Sequence, residues 1–391
     1  MEPSGGAGGV GGAGEAGTAA MRQWQSRTLF LCGDVMTGRG IDQILPHPCD
    51  PRLHEPYARS ARDYVALAER AHGAIPEPVA FEYVWGDALA ELDRVRPDAR
   101  IVNLETAVTT SEAFWPDKGI HYRMHPRHVP CLTAAGIDCC VLANNHVLDW
   151  GYPGLHETLA ALVGAGLAVA GAGRDLEEAQ APAVLPTSGS GSVLVFAFGC
   201  ESSGVPPGWA AGEHRAGVDF LPDLSAAAAQ RFASRVAAVK RDGDLVVASI
   251  HWGDNWGYPV PAAQRAFAHR LIEEAGVDLV HGHSSHHPRG IEVHQGRLVL
   301  YGCGDFLNDY EGIADHNEYR GDLAVMYFPT LDPATGRLLG LALTPLRSRR
   351  FRLEWPPAAD VRWLQATLDR ECRTLGAAVE PAGHGRLALR W

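Results

Sequence analysis

The sequence has no C-x-x-C pair, no apolar run of the ~18 residues that a membrane-spanning helix needs, and no surplus of basic charge. The first lack argues against a zinc–cysteine site or a disulfide framework, although the chain carries 8 cysteines. Cys32, Cys139, Cys140, Cys200 and Cys303 sit in or beside apolar runs, where a free cysteine acts as a small hydrophobe; Cys49, Cys131 and Cys372 lie apart. Reduced thiols are expected. The second lack leaves no direct membrane span. The third, a formal net charge of -12, disfavours nucleic acid as a partner, because a phosphate backbone rewards a basic face. Residues 1–26, opening "MEPSGGAGGVGGAGEAGTAA", have neither the basic nor the apolar region of a secretory signal and read as a disordered Gly/Ala-rich tail. A cytoplasmic location is expected. No repeat of fixed period is visible.

What is present is a chain of 391 residues, 46% hydrophobic and 20% charged, the make-up of a globular protein with a large core. Short β-rich runs recur, among them "TLFLCGD", "ARIVNLET", "CCVLANNH", "SVLVFAFGC", "LVVASIHWG" and "VDLVHGHS". Several are apolar without alternation, which suits strands covered on both faces. Helical patterns fill 78–95, 126–135, 153–164, 224–241 and 262–275, and a last one covers 359–375. The alternation predicts an α/β fold, with a C-terminal meander turning the sheet mixed. Long polar and aromatic loops at 45–59 and 114–124 are of a kind that carries function.

The ends of the strands hold the chemistry. "LFLCGD" ends in Asp34, "ARIVNLE" in Glu105, "CCVLANNH" in Asn144, Asn145 and His146, "VVASIHWG" in His251, and "VDLVHGH" in His281 and His283, with His286 and His287 just beyond. In α/β sheets the carboxyl ends of strands converge on one crevice, so these donors are expected to meet. Carboxylate, amide oxygen and imidazole without thiolate suit manganese, iron, zinc or magnesium. A carboxylate bridging two ions, with imidazoles on either side, is a two-metal hydrolytic arrangement that makes an attacking hydroxide. Each residue also has a structural reading: Asp34 as a turn cap, the asparagines as loop hydrogen-bonders, His251 as a core histidine. Trp252 and Trp256 either line a pocket or pack, and Asp305 either orients a ligand histidine or makes a turn.

The ordered set GD, NLE, NNH, HWG, GH-x-x-H and GDF, with "AVTT" and "VLDWG" between, resembles the bacterial capsule-synthesis CapA/PgsA family linked to poly-γ-glutamate, itself similar to the calcineurin-like metallophosphoesterases. The resemblance covers roughly residues 28–307. It implies a four-layer α-β-β-α sandwich with mixed sheets over 27–346, followed by a helical extension at 347–391. It further implies metal ligands at Asp34, Glu105, Asn145, His251, His283 and His286, with His146 as the proton donor to a leaving group. Arg39, Asn144 and Arg289 are the candidates for holding substrate. Two departures stand out: Met36 occupies a position where the phosphoesterases carry histidine, and GHSSH replaces the family's common GHHPH, so the choice among His281, His283, His286 and His287 stays open. The implied activity is a metal-dependent hydrolase, with two divalent ions, acting on a phosphate ester or a γ-glutamyl amide. The alternative is a non-catalytic accessory or binding protein of polyglutamate or capsule synthesis. Oligomeric state is not legible.

Overall fold

The computed structural model describes Met1, residues 26–187, 189, 191–313 and 315–391. The expected N-terminal tail therefore falls almost wholly outside the described residues. Strand Arg27–Val35, RTLFLCGDV, is apolar on both faces and almost fully buried, and it runs through the middle of a ten-stranded sheet. On one side it pairs in parallel with Ala99–Leu104 (Leu31 opposite Ile101), and Cys139–Val141 and Ala168–Ala170 follow in the same sense. On the other side it pairs antiparallel with Leu323–Leu331, beyond which lie Leu338–Arg349, Arg386–Arg390 and Ala378–Gly383. The sheet is mixed, as the loss of helices toward the C-terminus predicts.

A seven-stranded sheet is ordered Phe220–Leu221, Ser192–Cys200, Leu245–His251, Leu279–His283, Arg297–Leu300, Ile291–His294, with Ala183–Pro186 against Ser192–Cys200. Its unbroken apolar runs have a simple cause. Val193, Val195, Val247, Leu279 and Leu298 share one cluster with Leu29 and Leu31 of the larger sheet. Their neighbours Leu194, Phe196, Val246, Val280 and Val299 point the other way, onto helices Ala226–Val239 and Ala262–Ala275. Leu92 of helix Asp87–Val95, Leu159 of helix Gly151–Gly164 and Leu368 of helix Ala358–Arg373 join the first cluster. All the cysteines are buried and free. No helix among the described residues is long and apolar enough to cross a membrane.

Two helices lie outside the expected set, and one expectation needs correction. Helices Arg39–Ile44 and Arg62–His72 stand on either side of the loop expected at 45–59; the first is buried along its whole length and so shows no polar face to read. The segment 347–391 is not simply helical. After its helix, Ala378–Gly383 and Arg386–Arg390 form a hairpin that pairs into the large sheet, Ala342 opposite Ala388 and Leu343 opposite Leu387. The alternating burial of RLALR, with both leucines inward, is what selects strand there.

Candidate metal centre

Sheet register does much of the assembly. His251 and His283 end neighbouring parallel strands and face each other as partners, and Asp34 is paired with Asn103 on one side and Asp305 on the other. Because the two sheets pack face to face, this pair and this trio meet at one edge. Ligand atoms of Asp34, His251 and His283 lie within 4.8 Å of one another. The Nδ1 atoms of His251 and His283 are 2.7 Å apart, and His283 Nδ1 is 4.0 Å from Asp34 Oδ1. His251 Nε2 lies 3.1 Å from Asn145 Oδ1 and 3.7 Å from Glu105 Oε1, which is itself 3.9 Å from His146 Nε2.

The electrostatics of this cluster call for a cation. Burial is the main force pushing the Asp34 carboxyl up to about 7, and the nearby Asp305 carboxylate adds to it, against hydrogen bonds from Asn103 Nδ2 (2.7 Å) and the Ser284 amide (3.2 Å). Glu105 is pushed well above the usual carboxylate range by burial and then by Asp34 and Asp305. Among the described residues, neither Asp34 nor Glu105 has a lysine or arginine within ion-pair distance. Burial likewise holds His251 and His283 well below the ordinary imidazole value, so both present lone pairs near neutral pH. Crowded buried carboxylates beside neutral imidazoles are a donor set that a divalent ion relieves and an apolar core does not. The residues present thus fit such an ion. Ser284 donates its amide to Asp34 from a left-handed backbone (φ 88°), a strained conformation kept at the centre.

His146 is built into a separate relay. Its Nδ1 lies 2.6 Å from Asp149 Oδ2 and 3.0 Å from Lys118 Nζ, and Nε2 is turned toward Glu105. Lys118 also reaches Asp149 and the Asn145 carbonyl, and the Tyr122 ring stacks on the imidazole with centroids 3.9 Å apart. Burial, with the charges of Lys118 and Arg39, keeps His146 well below its ordinary value. The resting imidazole is therefore a proton acceptor; the donor role expected for it needs a proton taken up first. Lys118 and Asp149 were not singled out from sequence; the only trace was "VLDWG" and one lysine in an aromatic loop.

The histidine-rich stretch after Val277 now divides. His281 spends both nitrogens, on Ser249 Oγ (3.0 Å) and the Cys32 carbonyl (2.7 Å). His287 spends both as well, accepting from the Gly257 amide and meeting the Pro288 carbonyl. His283 belongs to the Asp34 group. His286, expected beside it as a ligand, has its Nδ1 on Asp305 (2.9 Å), whose charge outweighs burial and raises the imidazole's affinity for a proton.

The three substrate-binding candidates are all buried. Arg39 is buried, with its guanidinium held by Asp309 (Nε to Oδ2, 3.1 Å) and Glu55 (3.0 Å), which leaves no free fork for an anion. Asn144 donates to Asn103 Oδ1 and the Leu104 carbonyl and accepts from the His146 amide, so it orients His146. Arg289 is buried and donates to the Asp254 carbonyl at 2.6 Å. Trp252 packs in the core with its indole N–H on the Tyr301 carbonyl, whereas Trp256 lies against His286, centroids 5.2 Å apart.

A second group, His269, Glu292 and His294, is also able to take a divalent ion. Its two imidazoles lie stacked with centroids 3.6 Å apart, so one ring must turn before both point at a shared ion.

Comparison with known proteins bears on what these centres serve. The chain is 49% identical over 353 residues to a "probable polyglutamine synthesis accessory protein" of Mycobacterium tuberculosis strain H37Rv, covering 90% of this chain and 93% of that one. It is 28% identical over 280 residues to the "PGA biosynthesis protein CapA" of Bacillus subtilis, covering 71% of this chain and 62% of the relative. A crystal structure of a phosphatase from Mycoplasma pneumoniae superposes with a TM-score of 0.45 at 13% identity, over 84% of this chain and 96% of that chain. The family model for "Bacterial capsule synthesis protein PGA_cap" matches residues 28–310, and the chain belongs to that family.

Proposed function

We propose that this chain acts in the synthesis of a glutamyl polymer, and that its working part is a divalent-metal centre where the two sheets meet. The names of its relatives, an accessory protein and a biosynthesis protein, favour an accessory role in which the centre binds polymer or precursor. A second reading, metal-dependent hydrolysis of a phosphate ester or γ-glutamyl amide, is favoured by the oriented His146–Asp149 pair beside the centre. The observation that carries both is the gathering of Asp34, His251 and His283 with no lysine or arginine in ion-pair reach of Asp34 among the described residues.

In this reading Asp34, His251 and His283 hold one ion, and Glu105 and Asn145 reach across to share it or a second. Bound divalent ions supply Lewis acidity and an acidified water. Asp149 holds the His146 Nδ1–H, so Nε2 is free to accept a proton and later return it to a leaving oxygen or nitrogen. Asn144 fixes the His146 amide, and Asp305 orients His286 at the rim. We read the scaffold as a four-layer α-β-β-α sandwich forming one principal domain over 27–346, supported by the shared cluster between the sheets and the helices on the outer face of the smaller one.

The test is elemental analysis of the purified protein, followed by assays with manganese against aryl phosphates and γ-glutamyl substrates. Stoichiometric metal with turnover supports the hydrolase. Tight metal binding with no turnover on either substrate class supports the accessory reading. Absence of bound metal after loading sinks the centre itself.

A further inference from the structure

Two tyrosines from distant parts of the chain meet beside the centre. The hydroxyls of Tyr122 and Tyr310 lie 2.6 Å apart. Tyr122 stacks on His146, and Tyr310 sets its ring edge-on to His286 with centroids 5.6 Å apart, so the pair spans the two histidines that flank the Asp34 group. Both are firmly placed. The Tyr122 amide donates to Asp149 Oδ2 at 2.7 Å, the carboxylate that orients His146. The Tyr310 amide donates to Asn308 Oδ1 at 3.1 Å, and Asn308 Nδ2 donates to Asp305, the carboxylate that orients His286.

Two hydroxyls in one hydrogen bond carry two hydrogens and use one. The second has no acceptor among the described hydrogen bonds, and Tyr310 is half-buried where Tyr122 is closed off. The Arg39 guanidinium packs on both rings, 4.8 Å from the Tyr122 centroid and 5.7 Å from that of Tyr310, where a cation would ordinarily be the group to meet an anion. Arg39 itself is bound to Asp309 and Glu55 and cannot make that contact. A phenol donates without bringing a cation next to bound metal ions.

We propose that the Tyr122–Tyr310 pair binds substrate, donating its spare hydroxyl hydrogen to an anionic oxygen held at the metal centre. The inference rests on the metal-centre reading above. The oxygen belongs to a phosphate group or to a glutamyl carboxylate, and the hydrogen bond is the same for both.

The test uses manganese-loaded full-length protein, wild type, Tyr310→Phe and Tyr122→Phe, with metal content by elemental analysis and calorimetric titration of inorganic phosphate and of γ-glutamylglutamate. Loss of one hydrogen bond to a charged oxygen predicts about tenfold weaker binding of one probe with metal content unchanged. The probe that responds identifies the group. Unchanged affinity for both probes in both variants, a parallel loss of metal, or a wild-type protein that binds neither probe overturns the proposal. A wild type that retains no manganese counts against the centre instead, and the pair is then judged by the same titrations on metal-free protein. Should Tyr310→Phe fail to fold, Tyr310→Leu, which removes the same hydroxyl, decides.

Discussion

At the scale of single residues, position along the chain and role in the fold part company. Arg39 follows Asp34 closely and invites assignment to substrate, yet its partner is Asp309, 270 residues on. Replacing Arg39 with alanine leaves Asp309 and Glu55 buried together without their cation and is expected to cost about 3 kcal/mol, measured by urea unfolding, with metal uptake impaired only as far as the fold is lost. His146 behaves differently. His146→Ala is expected to retain metal and, if the protein is a hydrolase, to lose turnover by about 10²–10⁴-fold, whereas Asp34→Ala and His251→Ala lose the metal. Unaltered metal content in both of the latter would show the ligand assignment to be wrong. The ordered motifs single out Asp34, Glu105, Asn145, His251 and His283 as candidates, and the fold gathers them. They could not separate His281 from His283, because the difference lies in the Cys32 carbonyl that the fold presents to His281, while the Ser249 hydroxyl meets both rings.

Elements owe their legibility to how much of them faces an edge between polar and apolar surroundings. Helix Ala262–Ala275 was readable to its ends, but Arg39–Ile44 was not, being buried on every side. Helix Asp87–Val95 is tied to the sheet through Glu91, which accepts from Arg94 on its own helix, Thr344 on Leu338–Arg349 and Arg386 on Arg386–Arg390. Burial works to raise this carboxyl, but the arginines and Thr344 outweigh it and hold it below its ordinary 4.5. The folded form thus binds fewer protons there than the unfolded chain. Its contribution is complete above 4.5 and is lost as pH falls below that value. Glu91→Gln is expected to cost about 2 kcal/mol at neutral pH, with a shallower acid limb in a pH series of thermal melts. An acid limb identical to the wild type's would remove Glu91 from the account.

For the molecule as a whole, the C-terminal hairpin and the candidate metal centre are the two closures. Deleting 347–391 removes the partners of Ala342 and Leu343 and strips Leu364, Leu368, Leu387 and Leu389 from the main cluster, so the truncated chain is expected to be insoluble or to melt without cooperativity in circular dichroism. Chelation of bound metal is expected to lower the melting temperature of the intact chain, since it returns crowded carboxylates to a dry site; an unmoved melt would argue against ligation there. Local pattern is enough for the α/β class, the mixed sheet, the buried strands and a donor inventory of carboxylate, amide and imidazole at strand ends, because periodicity and residue chemistry are local properties. Packing in three dimensions is what commits His281 and His287 to backbone carbonyls, sequesters Arg39, and brings Lys118, Asp149, Tyr122 and Tyr310 beside the candidate centre. Those outcomes depend on contacts between segments brought together by two sheets packing face to face, and no local pattern along the chain encodes which groups meet across that gap.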